Sequence, residues 1–381
     1  ANQLIMDFYI QKQDIVNALS TLSGVTEKKT LDVLSNVLIE VKESSLILTA
    51  TDLESWIVTT TQIANFVSGG KTTVDAKKLA DLCRLLPENS EIHISYDADK
   101  LKIEAGTGIY RLATIPSETF PVFEDFGESE QITMKASDLK GIIDKTSIGM
   151  SSAAFGRQHL EGLLFDIDQA IITTVGYDGS MAASAFAEID NTSSCHAVAS
   201  RKAVNQISKL ISNESEEIRL KISLNAISIN TDSFKFSSKL IAEPYSVTVD
   251  QIVNYNPRGS EVIIKVNQKS FSDAINRISL IAHDGRAIKM LFDSNGITLA
   301  AGSRLNQGHE LYKTEYIGED MEMIINVAYF RQILSCIDED TFDLKVYGGG
   351  LACIITTQGK YNNQYAVMPL LDTPETANLS K

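Results

Sequence analysis

Apolar residues recur at helical spacing in three stretches of the chain, each followed by the two-residue alternation of strands. Ile15, Leu19 and Leu22 share one helical face; so do Leu139, Ile142 and Ile143, and again Phe271, Ile275 and Ile278. Ser137 and Ser270 are candidate N-caps. Each stretch is followed by a second helix, expected at 77–86, 200–211 and 327–337, and a short strand read at Val74, Val198 or Ile325 leads into it. Three alternating segments then follow each time. They are 91–95, 101–104 and 110–114 in the first block, 218–222, 226–230 and 234–237 in the second, and 342–346, 351–355 and 364–368 in the third. Such alternation predicts half-buried antiparallel sheet.

The pattern is a repeat. Leu38, Leu164 and Leu291, taken as equivalent, lie 126 and 127 residues apart, and a third of the 381 residues is 127. Each copy has the usual size of a domain and is internally doubled, so the fold class is α+β, with two helices against antiparallel sheets in each of three tandem modules. Turn residues cluster at 123–128 and 254–259. The expected domains are therefore 1–128, 129–255 and 256–373, with 374–381 as a flexible tail.

Composition narrows the class. Hydrophobic residues at 44%, charged residues at 22% and only 7 prolines exclude extensive disorder. No apolar run nears the roughly 18 residues that suggest a membrane span, and the first residues lack a basic region and a long apolar segment, so a cytoplasmic protein is expected. The 4 cysteines have no CxxC spacing and read as reduced thiols. The histidines are scattered, and the Cys195-His196 pair has no companion at ligand spacing, so neither metal nor cofactor is expected. Gly348 to Gly350 lacks the Lys-Ser/Thr of a phosphate loop and predicts a tight turn. Acidic runs at 97–99 and 338–340 read as solvated turns. No motif pairs a nucleophile with a base, which argues against an enzyme.

Net charge is −15, at first sight hostile to nucleic acid. Its distribution reverses that view. Six predicted helices, 11–22, 77–86, 135–147, 200–211, 267–281 and 327–337, hold 13 basic and 5 acidic residues, a net of +8 that leaves −23 on the rest. Helices gathered on one side would give DNA phosphates a positive surface inside an acidic shell. Twelve helices from two chains, packed about 10 Å apart, would circle a bore of roughly 25 Å, enough for a duplex. Closure would then require head-to-tail pairing of two chains.

The runs Thr49–Glu54, Leu112–Pro121, Leu160–Phe165, Ser238–Leu240 and Tyr365–Pro369, in that order and at domain spacing, resemble the bacterial DNA polymerase III beta subunit, the replicative sliding clamp. The resemblance spans Leu4 to Leu371. It implies three DNA-clamp domains per chain and a ring-shaped head-to-tail homodimer without catalytic activity. It implies four kinds of partner: double-stranded DNA held without regard to sequence, the replicative polymerase subunit, an ATP-driven clamp loader, and other peptide-motif proteins.

By position, it assigns DNA contact to Lys28 or Lys29, Lys77, Arg201 and Lys202, with Lys12 as a further candidate. It places a partner-peptide cleft between modules two and three, at Leu160, Tyr177, Gly179, Met181, Ala182, Pro244, Gly350, Ala352, Val367, Met368, Pro369 and Leu370. Tyr110 and Leu112 would meet Leu280 and Ile281 at the dimer joint. One departure touches the cleft. Tyr177–Ala182 stands where the family has Thr-Asp-Gly-His-Arg-Leu, losing an imidazole and a guanidinium. The alternative function is a clamp-like scaffold with an altered cleft that does not serve the main replicase.

Overall fold

A computed structural model describes residues 6–26, 32–97, 99–123, 127–151, 161–212, 216–257, 261–282, 286–303 and 305–371. Module one runs β1 (Asp7–Gln11), α1 (Lys12–Leu22), β2 (Asn36–Lys42), β3 (Ser45–Thr51), β4 (Ser55–Gln62), β5 (Asn65–Ser68), β6 (Gly70–Asp75), α2 (Ala76–Leu85), β7 (Glu91–Asp97), β8 (Lys100–Ala105) and β9 (Gly108–Ile115). Module two runs β10 (Ser129–Lys135), α3 (Ala136–Thr146), β11 (Gly162–Asp168), β12 (Ile171–Tyr177), β13 (Met181–Glu188), β14 (Ser194–Ser200), α4 (Arg201–Leu210), β15 (Glu217–Ser223), β16 (Ala226–Asn230) and β17 (Phe234–Lys239). The short α5 (Val249–Val253) follows. Module three runs β18 (Val262–Asn267), α6 (Gln268–Ser279), β19 (Ala287–Asp293), β20 (Gly296–Gly302), β21 (Gln307–Lys313), β22 (Met321–Asn326), α7 (Val327–Ser335), β23 (Thr341–Val346), β24 (Cys353–Thr356) and β25 (Gln364–Val367).

Each long helix grows directly out of a strand, so the strand's last residue can act as its cap. Asp75, Asn267 and Asn326 accept from the backbone N–H of Lys78, Ser270 and Ala328. The N-cap expected at Ser270 is therefore corrected to Asn267, with Ser270 inside the first turn; Ser137 likewise lies inside α3. No described helix is long and apolar enough to cross a membrane.

Sheets ignore the boundaries of the repeat. Order β10-β15-β16-β17-β4-β3-β2-β6-β9-β8-β7-β1-β5 joins half of module two to module one, and β14-β11-β12-β13-β25-β24-β23-β18 joins the other half to module three. A third sheet, β21-β20-β19-β22, completes module three. The chain accordingly divides into two compact units, Ala1–Ala136 with Asn205–Leu240, and Ser137–Val204 with Ile241–Lys381.

Strand register corrects the phase of the repeat. Leu38 pairs with Thr49 and Leu164 with Val175, but the residue pairing at the corresponding place in module three is Lys289 with Ala300. The caps fix this: Asn36, Gly162 and Ala287 lie opposite Asp75, Ser200 and Asn326, each at the start of a second helix. Leu291 is thus two residues out of phase. A two-residue slip keeps every side chain on its own face, so alternation alone cannot detect it. The glycine turn is as expected, with Gly348, Gly349 and Gly350 all left-handed at φ 70°, 62° and 76°.

Candidate functional site

The region of modules two and three where the cleft is expected is built on a turn. Between β12 and β13, Gly179 takes φ 98°, and Asp178 Oδ1 accepts from the backbone N–H of Ser180 (2.8 Å) and Met181 (2.7 Å). The other carboxylate oxygen, Oδ2, accepts from the hydroxyl of Tyr329 on α7 at 2.7 Å. Burial, and then this hydrogen bond, push the Tyr329 phenol up to about 12, so it stays a donor at neutral pH. Asp178 thereby ties module two's turn to module three's helix.

The segment after β25 closes the region. Met368 N–H donates to the Ser180 carbonyl (2.8 Å) and Leu370 N–H to the Ile324 carbonyl (2.7 Å). Between this segment, β22 and the glycine turn lies a cavity of about 310 Å³, with Met321, Met323, Leu351, Met368, Leu370 and Leu371 on its walls. Thioether and aliphatic walls suit apolar side chains of varied shape. Beside β12 and β13, Tyr245 packs with Val247, Val249 and Ile252 over Leu164, Val175, Ala182 and Val198. Burial pushes its phenol well above the usual tyrosine range.

The cleft residues expected from sequence divide. Tyr177, Gly179, Gly350, Met368, Pro369 and Leu370 all keep exposed surface. Met181, Ala182, Ala352 and Val367 do not: they are buried, Met181 and Val367 in the core of module three and Ala182 beneath the Tyr245 cluster. Met181 and Ala182 lie on β13 and Val367 on β25, a paired sheet covered on both faces, so Met181 and Val367 enter one apolar cluster and Ala182 the other; Ala352 sits just before β24. Pro244 is exposed beside Tyr245, which fills the apolar site instead. Leu160 lies outside the described residues. Sequence reasoning missed Tyr329, Met321, Met323, Tyr245 and Leu371. The first three flank the strand-to-helix signal at Ile325 and could have been found by extending it in both directions.

A strap locks this joint. Tyr361, in the loop between β24 and β25, donates from its hydroxyl to the Ser137 carbonyl (3.3 Å) and to Asp138 (3.2 Å), while Lys360 pairs with Asp138 at 2.5 Å. Gly141 makes room, since a Cβ there would stand 2.3 Å from the Tyr361 ring.

Among the expected DNA contacts, Lys12 is corrected. It is only 5% exposed, and its ammonium donates to the Leu86 carbonyl (2.6 Å) and pairs with Glu88 (2.6 Å), binding the end of α2 to the start of α1. A cation so desolvated and engaged is unavailable to phosphate. Substituting Lys12→Ala is expected to destabilise module one by about 1–3 kcal/mol, by orphaning the Leu86 carbonyl, while leaving DNA retention unchanged; chemical denaturation and a retention assay check both. Lys77 is exposed in the first turn of α2, and Lys202 is half-buried on α4. Arg201 donates to the carbonyls of Met150 (2.7 Å) and Ser151 (2.6 Å), which makes it an anchor for that segment. Lys28 and Lys29 lie outside the described residues.

At the expected dimer joint, Tyr110 and Leu112 sit on β9 with partial exposure, and Leu280 is 84% exposed just beyond α6. Ile281 packs partly against the core of module three and flanks Gly308 on β21. Arg277 on α6 ties β21 down through Glu310. That hydrogen bond holds the Glu310 carboxyl below its ordinary range, so its stabilisation is present above the unfolded pKa and lost as pH falls through the depressed one. Glu310→Gln should abolish any acid-induced rise in amide exchange along β21; persistence of that rise would point to another group.

Three modules of two helices and antiparallel strands, joined edge to edge, define a DNA-clamp fold. Residues 6–124, 133–246 and 255–371 match the N-terminal, central and C-terminal domains of the DNA polymerase III beta subunit, and the chain belongs to that family. It is 27% identical over 370 residues to the beta sliding clamp of Pseudomonas aeruginosa and 25% over 369 residues to that of Vibrio cholerae, covering 96% of this chain and 100% of each relative. The crystal structure of the Pseudomonas aeruginosa DnaN sliding clamp bound to griselimycin superposes with a TM-score of 0.90 at 26% identity, covering 96% of this chain and 100% of that one.

Proposed function

We propose that two copies of this chain close head to tail into a ring around duplex DNA and tether the replicative polymerase. As a member of the beta-subunit family the chain is a non-catalytic sliding clamp. Each module, 1–128, 129–255 and 256–373, serves as one clamp domain.

The observation that carries the ring is a joint made twice in the same register. β17 pairs with β4 so that Phe236 opposes Ile57, and β25 pairs with β13 so that Tyr365 opposes Ala183. Tyr110, Phe236 and Tyr365 are equivalent, each lying opposite an isoleucine of the preceding strand: Ile103, Ile229 and Ile355. Ile57, Ala183 and Gly308 are likewise equivalent, opposite Ala50, Gly176 and Ala301. The remaining strands of this kind are β9 and β21. Among the described residues, β21 pairs only with β20, and β9 meets β6 only at Ile115 and Thr114. Repeating the joint between chains sets Tyr110 opposite the partner's Gly308, beside the partner's Ile281, and removes both free edges.

A closed ring is held by topology, so its DNA contacts can remain weak and indifferent to sequence. Protein loaded by the family's ATP-driven loader onto nicked circular DNA should be retained and should leave when the circle is linearised; equal loss from both forms would exclude encirclement. Reversing Lys77 and Lys202 together to glutamate should lower the salt at which loaded rings detach from DNA, and an unchanged salt profile would remove both from the contact surface. Partners are read as short peptide segments docking at Met368, Leu370 and the methionine-walled cavity, in keeping with griselimycin bound to the Pseudomonas aeruginosa clamp.

A further inference from the structure

We infer that module one carries a second docking site, a cavity that takes an extended segment of another protein with a basic side chain between apolar ones. The cavity, about 660 Å³, lies along β6 and is walled by Val41, Tyr96 and Pro116. It occupies the same place in its module as the 310 Å³ cavity does in module three. Counting back from the caps Asp75 and Asn326, Gly70–Thr72 correspond to Met321–Met323; counting on from Tyr110 and Tyr365, Pro116 corresponds to Leu371. The repeat has therefore made this cavity twice, with different walls.

Two features make an extended chain its occupant. β9 pairs with β6 only at Thr73–Ile115 and Val74–Thr114, so from Gly70 to Thr72 one side of β6 has no neighbouring strand among the described residues. That side forms a wall of the cavity and offers backbone groups to an added strand. The buried hydroxyl of Thr72, 1% exposed and on a residue of the same wall, has no hydrogen-bond partner among the described residues. A peptide amide moving alongside would supply one.

Charge selects the side chain. Glu40, Glu43 and Glu118 stand on the rim with Lys42 and Lys71. Lys42 lies 2.8 Å from Glu40, which leaves two carboxylates facing one ammonium. A lysine or arginine from the incoming segment balances them, and its apolar neighbours rest on Tyr96 and Pro116.

Titration calorimetry of the whole chain with acetyl-Leu-Lys-Val-Phe-amide and with acetyl-Leu-Glu-Val-Phe-amide tests this. The lysine peptide should bind at least tenfold more tightly than the glutamate peptide. Ser117→Trp, which fills the cavity from its rim, should weaken the lysine peptide at least tenfold, and the surface change Glu118→Lys should weaken it while favouring the glutamate peptide. Leu371→Trp, which fills the module-three cavity, should leave the lysine peptide unaffected. Absence of binding, or binding indifferent to both Ser117→Trp and Glu118→Lys, overturns the inference. Binding lost only in Leu371→Trp also overturns it, while leaving the partner cleft of module three intact.

Discussion

Gly308→Phe should convert the protein to a folded single chain that is no longer retained on circular DNA. Inside one chain the position has room: among the described residues, the atoms nearest a Cβ at Gly308 belong to Ile281, at 3.4–3.8 Å, which is ordinary contact. Between chains the proposed closure leaves none, because its register would put the partner's Tyr110 directly across from it. The joints observed within the chain oppose an aromatic ring to Ile57 or Ala183, whereas the proposed third would oppose it to glycine. Overpacking costs about 1–3 kcal/mol at each site, and a two-chain ring has two such joints, so the dimer should weaken by roughly 30-fold to 20,000-fold. Sedimentation at micromolar concentration measures this, with an unchanged unfolding midpoint showing that the chain itself is sound. A variant that remains dimeric would mean that β9 and β21 are not the closing strands.

Asp178→Ala should cost the partner cleft most of its affinity without opening the ring. The carboxylate accepts from Ser180, Met181 and Tyr329, and its loss leaves two backbone donors and a phenol seeking partners at once. The Ser180 carbonyl that receives Met368 N–H belongs to the same turn, so loosening the turn frees the segment on which Met368 and Leu370 ride. A loss of about 2–4 kcal/mol corresponds to roughly 30-fold to 1,000-fold weaker binding. Tyr329→Phe removes one bond of the set and should cost about 1 kcal/mol. Fluorescence anisotropy with a labelled segment of the partner polymerase subunit checks both. Equal affinity in the wild type and Asp178→Ala would show that the turn does not order the cleft.

The threefold repeat, the paired helices and the alternating strands were all legible because periodicity reports which face of an element is buried. The resemblance pointed to residues that the structure places on and around β12, β13 and β25, and on β9 and the end of α6. It failed where a side chain's role depends on residues far away in sequence. Lys12 fits a surface cation on a helix until α2 delivers Leu86 and Glu88 to it. Met181 and Val367 look like a cleft wall until β13 pairs with β25 and folds them into the core. Tyr245 carries no helical or strand period of its own and lies on a connecting segment, so nothing local marks it as the residue that covers Leu164 and Val198.

By itself the sequence determined three modules of helices and half-buried strands, and a surplus of positive charge on the helices, because both follow from short-range spacing and residue type. Tertiary structure alone decided the phase of module three, the sharing of module two between two units, and which cations and apolar residues remain at the surface. Pairing register and desolvation are long-range. A two-residue slip leaves the pattern of Leu291 intact, and an ammonium is buried only when a distant carbonyl arrives to meet it.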